Sequence, residues 1–490
     1  MEEDDKIYIM KKLIIFLLAL IPFCINGQSI YDVYNVSTSY YQGSAKSMAM
    51  GNAMGAVGQD FSSISINPAG LGLFRKPTLS FTPSIISTRT TSELNGNTAY
   101  DAKTKVSVNN FGYVGINKTG RNIITWSFGM NRTNNFNNNI YVDGYNPDNS
   151  LIDAYIIELT DNNIHNKVTL QEYSPSYIYP LCQTNLLVFL PEGEITSPVP
   201  IGGLRQFKGV NSWGGTNEWG VTTSINFEDK VFLGISINMP YVYSKKITDY
   251  KEDFSTSSYT NYWLQEEVLS TTGWGFNGKF GIIAYPARWI RLGASFHTPT
   301  IYNLTDTWKT ETVAQIGENY IFTVPTSYFN YSMATPWRAN ASTALIFGNF
   351  GMITADCEYV DYSMIRLSSY EYDYQPYNEN IRNTFKPTMN IRLGTEWRYQ
   401  NYCFRGGYSY YGSPYGLSET DYTRNALSCG IGYTKHLFTI DLAYVYTIQN
   451  HNYNLYSQYT NYYNEVAPNL IVKEKTNLHS VVVTLKYRMY

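Results

Sequence analysis

Cysteine, net charge and long apolar runs are all scarce in this 490-residue chain, and each scarcity removes a class of protein. The 5 cysteines include no CxxC pair, which argues against metal ribbons and thioredoxin-like chemistry. Cys182, Cys357, Cys403 and Cys429 are widely spaced and read as free, strand-borne packing residues. Lys and Arg number 36 against 39 Asp and Glu, so neither a nucleic-acid partner nor acidic disorder is expected. Past residue 27, no apolar run approaches the roughly 18 to 20 residues a membrane helix needs. A membrane location would have to use strands.

Motifs for chemistry are missing too. Gly273, Gly275 and Gly278 in GWGFNG satisfy GxGxxG, but they continue into another strand instead of opening a helix. No phosphate loop, HExxH or GxSxG occurs. His165, His297, His436, His451 and His479 are scattered and read as structural residues. No enzyme, metal site or cofactor is expected.

At the N-terminus, Lys11 and Lys12 precede the apolar LIIFLLALIPF, and Gly27 before Gln28 offers a cleavage point. Residues 1–27 read as a signal peptide that begins at Met10, with the acidic stretch before it a gene-start error. Cys24 lacks the small residues of a lipidation site.

What the chain does have is alternation. Val231, Leu233, Ile235, Ile237 and Met239 share one face of a strand; Gly234, Ser236 and Asn238 share the other. About 14 such stretches run from 77–88 to 476–489. Tight links at 118–120, 228–229, 286–287, 348–349, 401 and 435 alternate with long polar ones. Short turns at one end and long loops at the other predict an all-β, antiparallel transmembrane barrel over 77–490, and only a closed sheet satisfies every backbone group in hydrocarbon. Tyr and Trp near strand ends, such as Trp289, Trp337 and Trp397, suit interfacial girdles. In the last strand Val481, Val483, Leu485, Tyr487 and Met489 are assigned to lipid, and Thr484, Lys486 and Arg488 to the lumen. Residues 133–216 predict a large outer insertion containing a helix spaced by Leu151, Tyr155 and Leu159, with NLLVFLPEG a buried staple. The Tyr/Asn tract NYNLYSQYTNYYNE is expected to face solvent.

Residues 28–76 do not alternate. They are rich in Ala, Gly, Met and Ser, which pack closely but form no core of their own, and a barrel this wide needs filling. A hatch (plug) inside the lumen follows. It ends in SINPAGLGLF, where Pro68 keeps Asn67 extended, Gly70 and Gly72 permit a reversal, and Leu71, Leu73 and Phe74 anchor it.

A small-residue segment ending in Asn67, Pro68 and Ala69, extended by Gly70 and Leu71, resembles the hatch of the FadL/TodX outer-membrane transporters of long-chain fatty acids and toluene. Later segments such as PARWIRLGASFHTPTIYNL and IRLGTEWRYQNYCFRGGYSYYGSPY are similar to the same family. The Tyr-rich sequence with its large insertion looks like the Bacteroidetes branch, whose members are often labelled haemin receptors. The resemblance implies a monomer in the outer-membrane lipid bilayer, inserted by the barrel-assembly machinery. It implies passive uptake of a small hydrophobic ligand past a moving hatch and out through a gap beside a kinked strand, for which Gly129 is a candidate. A haemin receptor, or a shuttle barrel of a secretion system, is the alternative.

The lumen face also carries charge: Arg291, Asp356, Glu358, Arg392, Glu396, Arg398, Asp441, Lys486 and Arg488. Isolated charges there are expensive, so mixed signs predict an ion-pair lattice that holds the hatch. The competing reading is that one Arg receives a ligand carboxylate.

Overall fold

The computed structural model describes residues 30–489 except 120–121, 175, 256–260, 417–421 and 457–469. The expected signal peptide and most of the Tyr/Asn tract lie outside the described residues. Fourteen wall strands follow in chain order. They are β1 (Thr78–Leu94), β2 (Asn97–Thr119), β3 in two segments (Asn122–Asn135 and Asn138–Asn146), β4 (Leu204–Phe227), β5 (Val231–Asp253), β6 (Tyr262–Ala287) and β7 (Ile290–His297 and Ile301–Ile316). Then come β8 (Glu318–Thr323, Ser327–Ala334 and Arg338–Phe347), β9 (Gly351–Asp361), β10 (Pro387–Tyr399), β11 (Tyr402–Tyr411), β12 (Arg424–Lys435), β13 (Phe438–Asn454) and β14 (Ile471–Arg488). Neighbours in sequence pair antiparallel, and β14 returns to β1 with Leu79 opposite Tyr487 and Glu93 opposite Lys473, which closes the barrel.

Alternation sorts the two faces as expected. Leu233, Ile235, Ile237 and Met239 are exposed on the outside of β5, while Ser236 and Asn238 are buried inside. On β14, Val481 and Leu485 face out and Thr484 is fully buried. Trp289 and Trp397 are exposed at the girdle, and Trp337 stacks between Phe296 and Tyr359. A continuous apolar exterior on a closed sheet is the surface of a membrane-spanning barrel.

The tight end differs in detail. Glu228 and Asp229 both have positive φ, the two-residue geometry whose twist matches a hairpin. Residues 286–287 and 435, expected in turns, still belong to strands; the reversals follow them, at 288–289 and at His436, whose φ is +52°.

At the far end the expected long loops are largely strand. Residues 89–105 are the tips of β1 and β2, joined by a turn at Asn95 and Gly96, both with positive φ. The insertion likewise shrinks to 147–203, because 133–146 and 204–216 continue the wall. It carries α-helices Leu151–Asp161, Lys167–Tyr173 and Tyr179–Gln183, the last of which holds Cys182, so that cysteine is not strand-borne.

These helices form a cap whose core joins Ile152, Leu159, Leu181, Leu186 and Leu187 to Trp263, Ala314 and Val472 of the wall. NLLVFLPEG is thus a staple within the cap. One carboxylate, Glu252, anchors it by accepting from Ser150 Oγ (2.5 Å), Leu151 N (2.8 Å), Gln206 Nε2 (2.8 Å), Tyr250 OH (2.8 Å) and Trp263 Nε1 (2.9 Å). Beneath the cap sits α1 (Ile30–Ser37), and α2 (Ala45–Ala49) lies deeper in the lumen. From Tyr40 to Phe74 every hatch residue but Gln59 is buried.

Candidate functional site

The Asn67–Leu73 turn is where the hatch meets the wall. Asn67 is extended (φ −143°), as the following proline requires, and its Oδ1 accepts from Ala69 N at 3.1 Å. Its Nδ2 donates to Gly55 O (2.7 Å) and lies 3.2 Å from Ile282 O and 3.4 Å from Ala294 O. One amide therefore ties two hatch segments to β6 and β7. Pro68 begins a 3-10 turn through Leu73, and Leu71, Leu73 and Phe74 are buried. Gly70 and Gly72, expected from sequence to permit a reversal, lie within this turn without positive φ. They allow close approach: a Cβ on Gly70 would stand 2.9 Å from Gly58 Cα, and one on Gly72 2.7 Å from Ser224 Oγ.

The wall answers with glycines of its own. A Cβ on Gly234 would stand 2.3 Å from the Pro68 carbonyl carbon, on Gly281 2.0 Å from Asn67 Oδ1, on Gly293 2.4 Å from Gly55 O and on Gly407 2.2 Å from Gly51 N. Gly129 belongs to the same ring, since its Cβ would meet the Phe61 ring at 2.5 Å. In the sequence these glycines show only as small residues at inward parity between lipid-facing apolar ones, and the hatch atoms they meet lie far away in the chain.

Luminal charges are mostly paired, in two groups. Glu358 receives Arg338 (3.1 Å), Arg392 (3.5 Å) and Asn390 (2.8 Å), and Arg338 also donates to Ser37 O in the hatch (2.8 Å). Glu396 holds Arg398 and Arg405, each at 2.7 Å. Arg405 reaches Asp441 (2.7 Å), and Lys486 bridges Asp441 (3.3 Å) to Asp60 of the hatch (2.6 Å). Asp356 accepts from Gly55 N (2.9 Å). Arg291 lies over Tyr285 and 3.4 Å from Val57 O, and Arg488 sits opposite Thr78 at the strand end. Arg338, Arg405 and the buried Lys279–Glu218 pair were not picked out from sequence; Lys279 also lies 3.3 Å from Ser65 O. His297 Nε2 is 2.9 Å from Ile66 O. Most of the lattice thus ends on hatch backbone or on Asp60.

Above the turn, α1 occupies an aromatic chamber. Tyr34 packs against Tyr362 (4.9 Å between ring centroids), Tyr422 (5.4 Å) and Phe385 (5.7 Å), among Val242, Leu304, Met333 and Val360. His451 stacks on Tyr31, whose neighbour Asp32 pairs with Lys246 at 2.5 Å.

Beside this chamber the wall is not continuous. β2 and β3 pair from Thr119–Asn122 up to Asn110–Asn131. Beyond that, among the described residues, 97–109 of β2 ladder only with β1, and 138–146 of β3 only with β4. The two edges overlap through side chains, as Asn139 Nδ2 to Asp101 Oδ2 (3.1 Å) and Asn97 Nδ2 to Asp143 O (2.7 Å). β3 slips register between Arg132 and Asn134, so the irregularity lies there and not at Gly129. Arg132 holds the break, donating to Ser107 Oγ (2.7 Å), Gly214 O (2.5 Å) and Asn134 O (3.2 Å). From inside, the hatch stoppers this seam: Gln42 N bonds Arg132 O (2.9 Å), and Asn134 Nδ2 bonds Asn35 O (2.8 Å) and Thr38 O (3.1 Å).

No protein-family model and no curated protein matches the chain. Solved structures do. A Pseudomonas aeruginosa FadL homologue matches with TM-score 0.55 at 12% identity, over 91% of this chain and 98% of its own. The Pseudomonas putida toluene transporter TodX matches with TM-score 0.52 at 11% identity, over 92% and 100%. The monoaromatic hydrocarbon channel CymD matches with TM-score 0.50 at 12% identity, over 93% and 99%. At these identities the likeness is one of fold: this chain is a closed 14-stranded antiparallel barrel of the outer-membrane type.

Proposed function

We propose that this barrel takes up small hydrophobic compounds, such as long-chain fatty acids or aromatic hydrocarbons, by passive passage through the aromatic chamber and out sideways at the β2–β3 seam. The observation that carries this reading is the unladdered wall between 97–109 and 138–146, stoppered by hatch residues 35–42. A ligand entering beneath the cap meets apolar and aromatic walls. Its transfer from water is favourable by about 25 cal/mol per Å² of apolar surface buried, with direction set by consumption downstream. α1 fills the chamber at rest, so passage requires the hatch to shift. The fold of the neighbouring hydrocarbon channels supports the ligand class; the exit route rests on this chain's own geometry.

The test has two parts. A fluorescent long-chain fatty acid should bind the purified barrel saturably, be displaced by an aromatic hydrocarbon and not require haemin. In proteoliposomes, the double variant Asp101→Cys/Asn139→Cys should lose uptake when oxidised and regain it with reductant, while keeping equilibrium binding. Undiminished uptake through the oxidised barrel would sink the sideways route, and absence of binding would favour a haemin receptor or a protein-shuttling barrel.

A further inference from the structure

At the outer mouth of the same seam, cations stand on both sides. Lys103 of β2 donates to Ser212 O (2.8 Å) and Asn211 Oδ1 (2.5 Å) of β4. It lies 5.1 Å from the Trp213 ring centroid, and Lys245 of β5 lies 5.4 Å from the same ring. Lys105 follows on the Lys103 face of β2 and is exposed. Among the described residues none of these three lysines forms a salt bridge, whereas the next cations up the wall are neutralised: Arg205 by Asp143 (2.7 Å) and Lys251 by Asp253 (3.2 Å).

Height identifies what the free lysines face. Outward residues of β5 run apolar from Val231 to Tyr243, and Lys245 comes next. Twelve residues at about 3.3 Å each, tilted by about 40°, climb about 30 Å, which spans the roughly 25 Å height of a barrel's apolar band. Lys245 therefore sits at the outer headgroup level, where a membrane presents its phosphates.

Above the lysines the outer wall forms a groove of about 600 Å³, lined by Asp101, Asn139, Tyr141, Phe207, Asn211 and Asp249 among others. That volume falls in the roughly 300 to 1,000 Å³ range of ligand sites. Carboxylates there would repel a phosphate, but with asparagines they accept from and donate to hydroxyls, while aromatic faces pack on sugar rings.

We propose that this face binds a phosphorylated glycolipid of the outer leaflet, its phosphate on Lys103, Lys105 and Lys245 around Trp213 and its saccharide in the groove. Because the lysines lie on opposite sides of the seam, the bound lipid stitches β2 to β4 and β5. The inference rests on the seam's geometry and stands whether or not hydrophobic uptake is the protein's task.

Native mass spectrometry of the full barrel in detergent tests it, using diphosphoryl lipid A, phosphatidylglycerol and inorganic phosphate as separate probes. Wild type should retain lipid A in preference to phosphatidylglycerol. The double variant Lys103→Gln/Lys245→Gln should bind it roughly thirtyfold more weakly, in keeping with the usual pull of two lysines near an anionic surface. Lys309→Gln, an outward cation on another sector, should change nothing. Hydrogen exchange supplies a second readout, with amides 101–105 and 211–213 gaining protection when lipid A is added. Equal binding by the double variant, equal retention of phosphatidylglycerol, or displacement of lipid A by millimolar inorganic phosphate would each overturn the proposal.

Discussion

The side-chain amide of Asn67 donates to the backbone carbonyl of Gly55 across 2.7 Å, within reach of two wall carbonyls, so the hatch is pinned to itself and to the barrel at one atom. Replacing Asn67 with Ala leaves buried carbonyls without a donor, a cost of about 1 to 3 kcal/mol. The barrel wall does not depend on this amide. Heat resistance of the wall should persist while channel recordings show new conductance; a silent N67A would remove the pin from the account.

Close approach makes the glycine ring equally testable. In Gly293→Val the new side chain starts 2.4 Å from Gly55 O and cannot share that space. Overpacking of this kind costs about 1 to 3 kcal/mol and is relieved by displacing the hatch. Entry of a large antibiotic into cells carrying the variant should rise, and Gly293→Ser should give a smaller effect in the same direction.

The buried lattice separates two ideas about the luminal arginines. Arg392 is fully buried between Glu358 and Asn340, with no open face toward a ligand. Arg392→Met should therefore increase leak and leave affinity for acidic and neutral hydrophobic ligands in the same ratio as wild type. Selective loss of the acidic ligand would restore the carboxylate-receptor reading.

Glu252 invites a test on the outside of the molecule. Truncation to Ala strips five donors of their acceptor and should loosen the cap by at least about 3 kcal/mol, since buried unsatisfied groups cost about 1 to 3 kcal/mol each. Limited proteolysis should then cut between 162 and 195 while the wall stays intact.

The cap should also respond to pH. Burial pushes the Asp153 carboxyl up to about 6, despite the Ser150 N–H it accepts, and burial raises Glu158 as well. A carboxyl raised on folding binds its proton more tightly in the folded cap, so its contribution is present at pH 4 and fades as pH rises through 6. Amides of 151–161, corrected for intrinsic rate, should exchange more slowly at pH 5 than at pH 7.5. In Asp153→Asn that difference should shrink.

Much of this molecule is legible in its sequence, and the losses have physical causes. Within the lipid, one face of each strand must be apolar, so Ile235 and Ser236 announce their sides and all the wall strands can be found. Above the lipid both faces are wet, alternation fades, and the tips of β1 and β2 look like loop. The hatch betrays itself because Ala, Gly and Met in 45–58 could not make a core alone. The ring around it stays hidden, since a glycine such as Gly407 shows its purpose only beside Gly51, hundreds of residues away in the chain. The seam is harder still: the slip between Arg132 and Asn134 has no residue signature and exists only in how β3 pairs with β4.

The last strand offers a final consequence. Thr484 on β14 accepts from Ala45 N in the hatch (2.7 Å) and bonds Thr82 on β1 (2.8 Å), while Lys486 two residues on holds Asp60. The strand that completes the cylinder thus touches its stopper with the same side chains that line the closing edge. Closing the cylinder and seating its stopper therefore draw on the same short stretch of β14, so a change at Thr484 would loosen both contacts together.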